Sequence, residues 1–322
     1  MNTNLILILG VTASGKSRLA FDLAKSIDGE IISIDSMKVY RRMDVGTAKP
    51  SAEARARILY HLLDVVEPSE SFSVASFIDL ANHAVEQIKN RNKPVVAVGG
   101  TALYIKALLY GLFEGPGNNE KIRAELKQLA EKKGFQNLYH QLQQIDPAAA
   151  ERIHPNDSKR IIRALEVFHL TGKPISTFQK QWEQNSSEKH KPQCSTTGKI
   201  DEWTIIGLRR EKELESKRIN SRVKKMLDDG LVDEVKSLLS EEKPLSEQAR
   251  CAIGYAEIIN YINGKTKLDE AIELIKKNTR RLAKGQRTWF KTFKNVNWLD
   301  IEPEESPEQI LAKVKELTDS SK

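Results

Sequence analysis

The sequence predicts an α/β fold, a doubly wound parallel sheet with an inserted all-helical domain, and two observations support this prediction. From residue 5 to residue 98, short apolar runs alternate with helical patterns, which is typical of βαβ units and therefore of a parallel sheet. Residues 120 to about 180 show helical periodicity without a strand candidate, and strand character returns at residue 203. We therefore predict a core formed by residues 1–115 and 201–322 and a helical insertion formed by residues 116–200.

Each predicted element follows from a local pattern. Ser73 is expected to cap a helix whose apolar side chains share one face from Val74 to Ile88. A long amphipathic helix is expected to break or bend near Gly230, and the acidic tail that begins at Asp300 is expected to be peripheral. Apolar and β-branched runs predict strands at residues 5–9, 30–34, 61–66, 95–98, 203–208 and 296–299.

The strongest motif lies between the first predicted strand and the helical pattern that follows it. Residues 10–17 read G-V-T-A-S-G-K-S, the P-loop signature in its expected context, so we expect a P-loop NTPase-like fold. The glycines allow backbone N–H groups to close around an anion, and the helix N-terminus adds partial positive charge. Lys16 would neutralise phosphate oxygens, and the Ser17 hydroxyl would ligate Mg²⁺. The predicted phosphate-binding residues are Gly10, Thr12, Ala13, Ser14, Gly15, Lys16 and Ser17.

The P-loop motif leaves two questions open. An ordinary glycine-rich turn is the alternative to a phosphate site, and the flanking strand and helix argue against it. A nucleoside triphosphate and the diphosphate of another substrate would offer the loop nearly the same oxygens. The motif therefore predicts a phosphate ligand without identifying it.

Two further polar residues follow predicted strands. Asp35 comes after the second strand, and Thr101 comes after the fourth strand and two glycines. Carboxyl ends of parallel strands face the ligand crevice. Asp35 is therefore a Mg²⁺ ligand, a general base opposite the phosphates, or an acid that caps a turn. Thr101 orients a substrate through its hydroxyl or caps the next helix, and these two roles are compatible.

Basic residues are concentrated in two regions. Residues 116–200 contain 14 basic and nine acidic residues, and so carry most of the net charge of +7. From Lys276 to Lys294 there are eight basic residues and no acid, with Trp289, Phe290 and Phe293 interleaved. Either region would suit a polyanion, and the aromatic side chains would suit stacked bases or an apolar tail. The alternative for both regions is a solvated helical surface, with the aromatic residues packed in the core.

Composition argues against membrane insertion and against a metal cluster. There is no apolar run of the length of a membrane span, and the N-terminus lacks a charged region and a cleavage site. Cys194 and Cys251 have no metal-ligand spacing, and the six histidines form no metal-binding pattern. We expect a cytoplasmic protein with reduced thiols.

A series of motifs from residue 5 to about residue 300 resembles the bacterial tRNA dimethylallyltransferases. The P-loop itself is generic, whereas the M-D-x-G-T-A-K-P string at residues 43–50 and the H-P-N-D string at residues 154–157 are specific to that family. The other matching strings are I-S-I-D-S at 32–36, H-L-L-D at 61–64, V-G-G-T-x-x-Y at 98–104, R-A-L-E-V at 163–167, I-G-Y at 253–255 and T-R-x-x-A-K-x-Q-x-T-W-F at 279–290.

The resemblance implies an activity and its substrates. The family transfers a dimethylallyl group from dimethylallyl diphosphate to N6 of adenine 37, next to the anticodon of tRNA. By resemblance, the P-loop would hold the diphosphate rather than ATP, with Mg²⁺ as the cofactor. Asp35 would be the base for the adenine amine, Thr101 would position that amine, and a monomer is expected.

The resemblance also implies residues that contact tRNA. They lie on the turn after the second strand, in the insertion and in the C-terminal third: Asp35, Ser36, Met37, Lys38, Thr101, Arg123, Lys159, Arg160, Ile161, Ile162, Arg163, Arg250, Arg280 and Lys284. The sequence departs from the residues usual in the family at Val11, Lys212, Cys251 and Gly285.

Two other classes of protein are compatible with parts of the pattern. A small-molecule kinase or ATPase would use the same P-loop for phosphoryl transfer, with Asp35 as a Mg²⁺ ligand. A non-catalytic RNA-binding regulator would explain the basic regions, but it would leave the P-loop and Asp35 without a role. Transfer of labelled dimethylallyl diphosphate to bulk tRNA in the absence of ATP would separate these possibilities.

Overall fold

A six-stranded parallel sheet forms the centre of the structure, as the sequence predicts. The computed structural model describes residues 5–112, 115–179 and 202–319. The strands are β1 (Leu5–Gly10), β2 (Glu30–Ile34), β3 (Tyr60–His61), β4 (Val95–Gly99), β5 (Trp203–Arg209) and β6 (Val296–Asp300). Their order is β3-β2-β4-β1-β5-β6, and every neighbouring pair is parallel.

The described residues form two compact units. The sheet unit lies within Met1–Leu109 and Ser195–Lys322, and the helical unit lies within Tyr110–Cys194. The predicted boundary at residue 116 falls a few residues after Tyr110, and the predicted boundary at residue 200 lies outside the described residues. Within the described ranges, no helix combines the length and apolarity needed to cross a bilayer.

Helices follow the strands in the order expected of crossover connections, and α5 to α8 belong to the helical unit. The helices are α1 (Lys16–Ser26), α2 (Ala52–Arg57), α3 (Val74–Asn90), α4 (Ala102–Tyr110), α5 (Glu120–Lys133), α6 (Phe135–Ile145), α7 (Pro147–Arg152), α8 (Ser158–Thr171), α9 (Lys212–Asp228), α10 (Leu231–Leu239), α11 (Glu247–Arg250), α12 (Tyr255–Ile262), α13 (Leu268–Phe290) and α14 (Pro307–Asp319).

The three central strands are buried on both faces, which explains their continuous apolar runs. Every residue of β1, β2 and β4 is buried, as expected of a parallel sheet covered by helices. The predicted cap of α3 is confirmed, because the Ser73 hydroxyl accepts a hydrogen bond from the Ser76 backbone N–H. The predicted break at Gly230 is also confirmed: this glycine has a φ of +95° and separates α9 from α10.

Two sequence predictions about the sheet unit are wrong in part. Strand β3 covers Tyr60–His61 instead of residues 61–66, because Leu62 and Asp64 have positive φ and interrupt the pairing. The tail from Asp300 is not peripheral. It begins inside β6, and helix α14 then inserts Ile310 and Val314 into the apolar core beside the sheet.

A buried carboxylate organises the helical unit. Glu166 on α8 is fully buried, and it accepts hydrogen bonds from the Asn119 backbone N–H and from the Arg123 and Arg163 guanidinium groups, at 2.6–3.1 Å. Arg163 also donates to the Pro116 carbonyl at 2.7 Å. Burial raises the pKa of the Glu166 carboxyl, but these hydrogen bonds outweigh it and hold the pKa below its usual value. Glu166 therefore ties the start of α5 to α8.

We expect Glu166→Gln to destabilise the helical unit by about 2–4 kcal/mol at neutral pH, because a neutral amide leaves two partly buried arginines, Arg123 and Arg163, without their counter-charge. The difference from the wild-type protein should shrink as the pH falls below the usual pKa of a glutamic acid and through the lowered pKa of Glu166, because the wild-type side chain then also becomes neutral. The sign follows from the lowered pKa, since the stabilisation is present above the unfolded-state pKa and is lost as the pH falls through the folded-state pKa. Thermal melting of both proteins across this range measures the difference, and a difference independent of pH would contradict the prediction.

Candidate active site

Three loops meet at the carboxyl edge of the sheet because their strands are adjacent and parallel. The P-loop follows β1, Asp35 follows β2, and Thr101 follows β4, which lies between the other two strands. Gly99 of β4 is aligned with Leu9 of β1 and with Ile34 of β2. The topology thus places Thr101 between the predicted anion-binding loop and the predicted base.

The P-loop has the curled conformation that the sequence predicts. Gly15 has a φ of +101° and Ala13 a φ of +62°, both in the left-handed region. The Lys16 ammonium donates to the Val11 carbonyl at 3.0 Å, and the Ser14 backbone N–H donates to the same carbonyl at 3.2 Å. Lys16 and Ser17 are the first residues of α1, so the positive end of the helix dipole lies at this loop.

Asp35 and Thr101 are held by backbone groups on the same turn. One carboxylate oxygen of Asp35, Oδ1, accepts from the backbone N–H groups of Met37 and Lys38, at 2.9 and 3.2 Å. The Thr101 hydroxyl accepts from the Ser36 backbone N–H at 3.1 Å. The strand-end turn is therefore capped by Asp35, as one of the alternatives predicts. This contact fixes the orientation of the carboxylate without using its second oxygen.

Gln286 joins the P-loop to the Thr101 loop. The Thr12 backbone N–H donates to Gln286 Oε1 at 2.8 Å, and Gln286 Nε2 donates to the Gly100 carbonyl at 2.9 Å. Both contacts are buried, and a Cβ on Gly100 would lie only 2.5 Å from Gln286 Nε2. Gly100 is therefore required for this close approach. The Thr12 backbone N–H is used for a hydrogen bond within the protein.

A basic cavity of about 500 Å³ opens in front of the P-loop. The Arg218 guanidinium donates to the Ala13 carbonyl at 2.8 Å, and the Arg210 guanidinium donates to the Ser14 carbonyl at 2.9 Å. The cavity is lined by residues of the P-loop, of α1 and of α9: Ala13, Gly15, Lys16, Ser17, Arg18, Lys217, Arg218, Ser221, Arg222 and Lys225.

The cavity favours an anion because its lining is strongly basic and two of the lining cations, Lys16 and Arg222, are largely withdrawn from water. Burial lowers the pKa of the Lys16 ammonium to about 7, and the positive charges of Arg222 and Lys38 act in the same direction. Burial likewise lowers the pKa of Lys38, of Arg210 and of Arg222. A phosphate group bound here would restore the charged form of Lys16 and replace the lost hydration.

Sequence reasoning missed the α9 residues. Arg218, Arg222 and Lys225 are spaced i, i+4 and i+7, which is a basic stripe on one helical face. The prediction of this helix used only its apolar face, although the basic stripe was also visible in the sequence. That it faces the P-loop could not be predicted, because it depends on the packing of α9 at the carboxyl edge.

Comparison with known proteins identifies the family. The family model described as IPP transferase matches residues 38–293. This chain belongs to the IPP transferase family. It is 45% identical over 298 residues to the tRNA dimethylallyltransferase of Geobacter metallireducens, covering 92% of this chain and 93% of the relative. It is also 42% identical to the tRNA dimethylallyltransferase of Acetivibrio thermocellus, over 97% of this chain and 96% of the relative.

Solved structures agree with this assignment. The tRNA isopentenylpyrophosphate transferase of Bacillus halodurans has a TM-score of 0.67 and 38% identity, with 99% of this chain and 97% of the other covered. A eukaryotic dimethylallyltransferase crystallised while acting on tRNA has a TM-score of 0.75 and 29% identity, covering 99% of this chain and 80% of the other. These relatives are prenyltransferases, so the alternative of a small-molecule kinase is not supported.

The family-specific string at residues 43–50 forms a loop anchored by Glu234 of α10. The Glu234 carboxylate accepts from the backbone N–H groups of Asp44, Val45 and Gly46, at 2.8, 2.7 and 3.1 Å, and from the Tyr255 hydroxyl at 2.6 Å. A Cβ on Gly46 would lie 2.5 Å from the Tyr255 ring. Tyr255 belongs to the I-G-Y string, so the structure brings two separate family motifs together.

The structure corrects the prediction of tRNA contact for two residues of the helical unit. The Ile161 and Ile162 side chains are buried in the core between the helices, at 0% and 7% exposure. These apolar side chains point from α8 into the core of the helical unit, so they do not form part of a nucleic-acid surface. Lys159 and Arg160 on the same helix are exposed.

The other predicted contacts with tRNA are divided between structural and exposed positions. Arg123 and Arg163 are partly exposed, but their guanidinium groups pair with the buried Glu166. Arg280 donates to the Asn220 side chain at 2.9 Å, which links α13 to α9. Arg250 and Lys284 are exposed on α11 and α13.

The oxygen donors at this edge fit Mg²⁺ only in part. Ser17 and Asp35 supply the hydroxyl and carboxylate oxygens that Mg²⁺ prefers. Among the described residues, no group of three or more His, Cys, Asp or Glu side chains could hold a metal ion. The donor set therefore suits an ion that is bound mainly through substrate phosphates and water.

Glu234→Gln should loosen the loop at residues 44–46, because one carboxylate oxygen becomes an amide that cannot accept a hydrogen bond. We expect a loss of about 2–3 kcal/mol in the free energy of unfolding and faster hydrogen exchange of the Asp44, Val45 and Gly46 amides. Tyr255→Phe is the matched control, since it removes one hydrogen bond and leaves the three backbone contacts, at a cost of about 1 kcal/mol. Equal exchange rates in the two variants would show that Glu234 does not anchor this loop.

Proposed function

We propose that the protein transfers the dimethylallyl group of dimethylallyl diphosphate to N6 of adenine 37 in the anticodon loop of tRNA, with release of diphosphate. The observation that carries this proposal is the arrangement of an anion-binding loop, Thr101 and Asp35 on adjacent strands of one sheet edge. The names of the relatives support the two substrates.

The P-loop half of the site holds the leaving group. Diphosphate leaves an allylic carbon readily once its developing negative charge is neutralised. Backbone N–H groups of the loop, the Lys16 ammonium and the Arg218 and Arg222 guanidinium groups surround the cavity where this charge would form. We assign Mg²⁺ to the Ser17 hydroxyl, where it would neutralise phosphate oxygens when bound.

The opposite half of the site activates the acceptor. The adenine amine is a weak nucleophile because its lone pair is delocalised into the ring, so a base must remove its proton as the new C–N bond forms. Asp35 Oδ1 is engaged by two backbone N–H groups. We therefore assign the proton to Oδ2. Thr101 lies beside the same turn and would orient the amine through its hydroxyl.

The tRNA would be held through its phosphates and by extrusion of the target base. Helix α13 exposes Lys277, Arg281 and Lys284 along one face, and Lys159 and Arg160 are exposed in the helical unit. Basic side chains of this kind bind the backbone without reading sequence. Adenine 37 would leave its stack to enter the site, as base-modifying enzymes require.

The direct test of the proposed function is incubation of the protein with radiolabelled dimethylallyl diphosphate and bulk tRNA, without ATP. Label should enter tRNA, and digestion should place it on the adenosine next to the anticodon. Label that stays with the diphosphate, or transfer that requires ATP, would overturn the proposal.

Asp35→Asn should lower the single-turnover rate of transfer by about 10²–10⁴-fold, because the amide keeps the size of the side chain but cannot accept the proton. The affinity for dimethylallyl diphosphate should be unchanged, since the P-loop and Lys16 bind it. Lys16→Ala is the contrasting variant and should weaken the binding of diphosphate as well as the chemistry.

A Mg²⁺ titration separates the two functional roles of Asp35. If Asp35 were a metal ligand, raising the concentration of Mg²⁺ would restore much of the activity of Asp35→Asn. Recovery of this kind, or a large loss of diphosphate affinity, would remove Asp35 from the role of base.

Binding of tRNA should weaken steeply with salt. Neutralisation of about five phosphates predicts a log–log slope of about −3.5 to −4.5. Lys284→Ala should reduce the magnitude of the slope by about one unit. Lys25→Ala is a control at an exposed lysine in the last turn of α1, which runs back to the opposite edge of the sheet, and it should leave the slope unchanged. An equal effect of both substitutions would argue against contact at Lys284.

A further inference from the structure

We infer that Gln286 is a positioning residue, which sets the separation between the diphosphate-binding loop and the loop that carries Thr101. This inference rests on the proposed function and adds to it a role for a residue on α13. The observation is the pair of buried hydrogen bonds from Thr12 N–H to Gln286 Oε1 and from Gln286 Nε2 to the Gly100 carbonyl.

The chemistry of the amide makes this link specific. A backbone N–H can only donate and a carbonyl can only accept, so only one orientation of the Gln286 amide satisfies both partners. Glutamate would keep the acceptor for Thr12 and lose the donor for Gly100. A shorter asparagine, starting from the same backbone position, would not span both loops. Each of these replacements would leave a buried polar group unsatisfied.

The link continues to the base through Thr101. Gly100 directly precedes Thr101, whose hydroxyl accepts from the Ser36 backbone N–H, and Ser36 follows Asp35. A continuous set of contacts therefore runs from Thr12 through Gln286 and Thr101 to the turn beside Asp35. In the proposed reaction, the leaving group would be held at the Thr12 end of this series of contacts and the acceptor amine at the Asp35 end.

The position of Gln286 in the fold supports a role in alignment. It lies on α13, which packs against α9, α12 and β1, and Ala283 and Phe290 flank Gln286 on the buried face of this helix. Because α13 is long and packed along its length, it is a rigid support for the two loops. A misplacement of about 1 Å between reacting groups can cost about 10²-fold in rate.

The test uses Gln286→Met, which keeps the approximate volume of the side chain and removes both hydrogen bonds. We expect the single-turnover rate at saturating substrates to fall about 10- to 100-fold. The dissociation constants for dimethylallyl diphosphate and for tRNA should change less than about threefold, since the groups assigned to bind them remain. Gln286→Glu should also lower this rate, because the donor to Gly100 is lost.

Asn278→Leu is the matched control on the same helix. Asn278 also uses a side-chain amide, and it donates to Glu257 of α12 at 2.7 Å, outside the link between the two loops. This variant should lose stability comparable to that lost by Gln286→Met and keep the wild-type rate. Thermal melting of all variants reports the loss of stability, so an effect through unfolding is separated from an effect on alignment.

The outcomes distinguish failure of this inference from failure of the proposed function. No transfer by the wild-type protein would overturn the proposed function. Transfer by the wild-type protein together with an unchanged rate in Gln286→Met would overturn the positioning role alone. A loss of rate that is equal in Gln286→Met and Asn278→Leu would also overturn it, because it would show a general effect of stability.

Discussion

The parallel alignment of β1, β4 and β2 is the constraint on which the rest of the structure depends. Parallel strands end at one edge, so three segments that are distant in sequence deliver their loops to one place. Gly99 makes this spacing possible, because a Cβ there would lie 2.0 Å from the Ile34 carbonyl oxygen. The P-loop, Thr101 and Asp35 therefore take their order from the order of the strands.

Several basic side chains lie at this edge although burial disfavours their charged forms. The lowered pKa values of Lys16, Lys38 and Arg222 show that the protein holds these cations where water solvates them poorly. Arg210 and Arg218 are fixed by P-loop carbonyls, so their orientation is set before a ligand arrives. Preorganised charge of this kind would stabilise the leaving diphosphate of the proposed reaction without reorganisation during that reaction.

Buried or half-buried carboxylates fix local backbone segments in several parts of the fold. Glu30 accepts from Arg91 at 2.8 Å and lies 2.7 Å from His61, which joins β2 to the end of α3 and to β3. Glu234 holds the loop at residues 44–46, and Glu166 holds the entry of the helical unit. Each carboxylate accepts several donors, which offsets the desolvation of its charge and makes the local backbone specific.

The sequence by itself determined the elements whose signal is local. The apolar runs of β1, β2 and β4, the cap at Ser73, the break at Gly230 and the P-loop all follow from neighbouring residues. The motif series also identified the family that the comparisons show.

Only the tertiary structure decided which distant residues meet. The buried α14, the α9 arginines at the P-loop and the Gln286 link each depend on contacts between segments far apart in the chain. The burial of Ile161 and Ile162 was likewise decided by the packing of α8 against neighbouring helices. The physical reason is that periodicity marks which face of a helix is apolar, whereas the partner of a polar side chain is set by the packing of the whole chain.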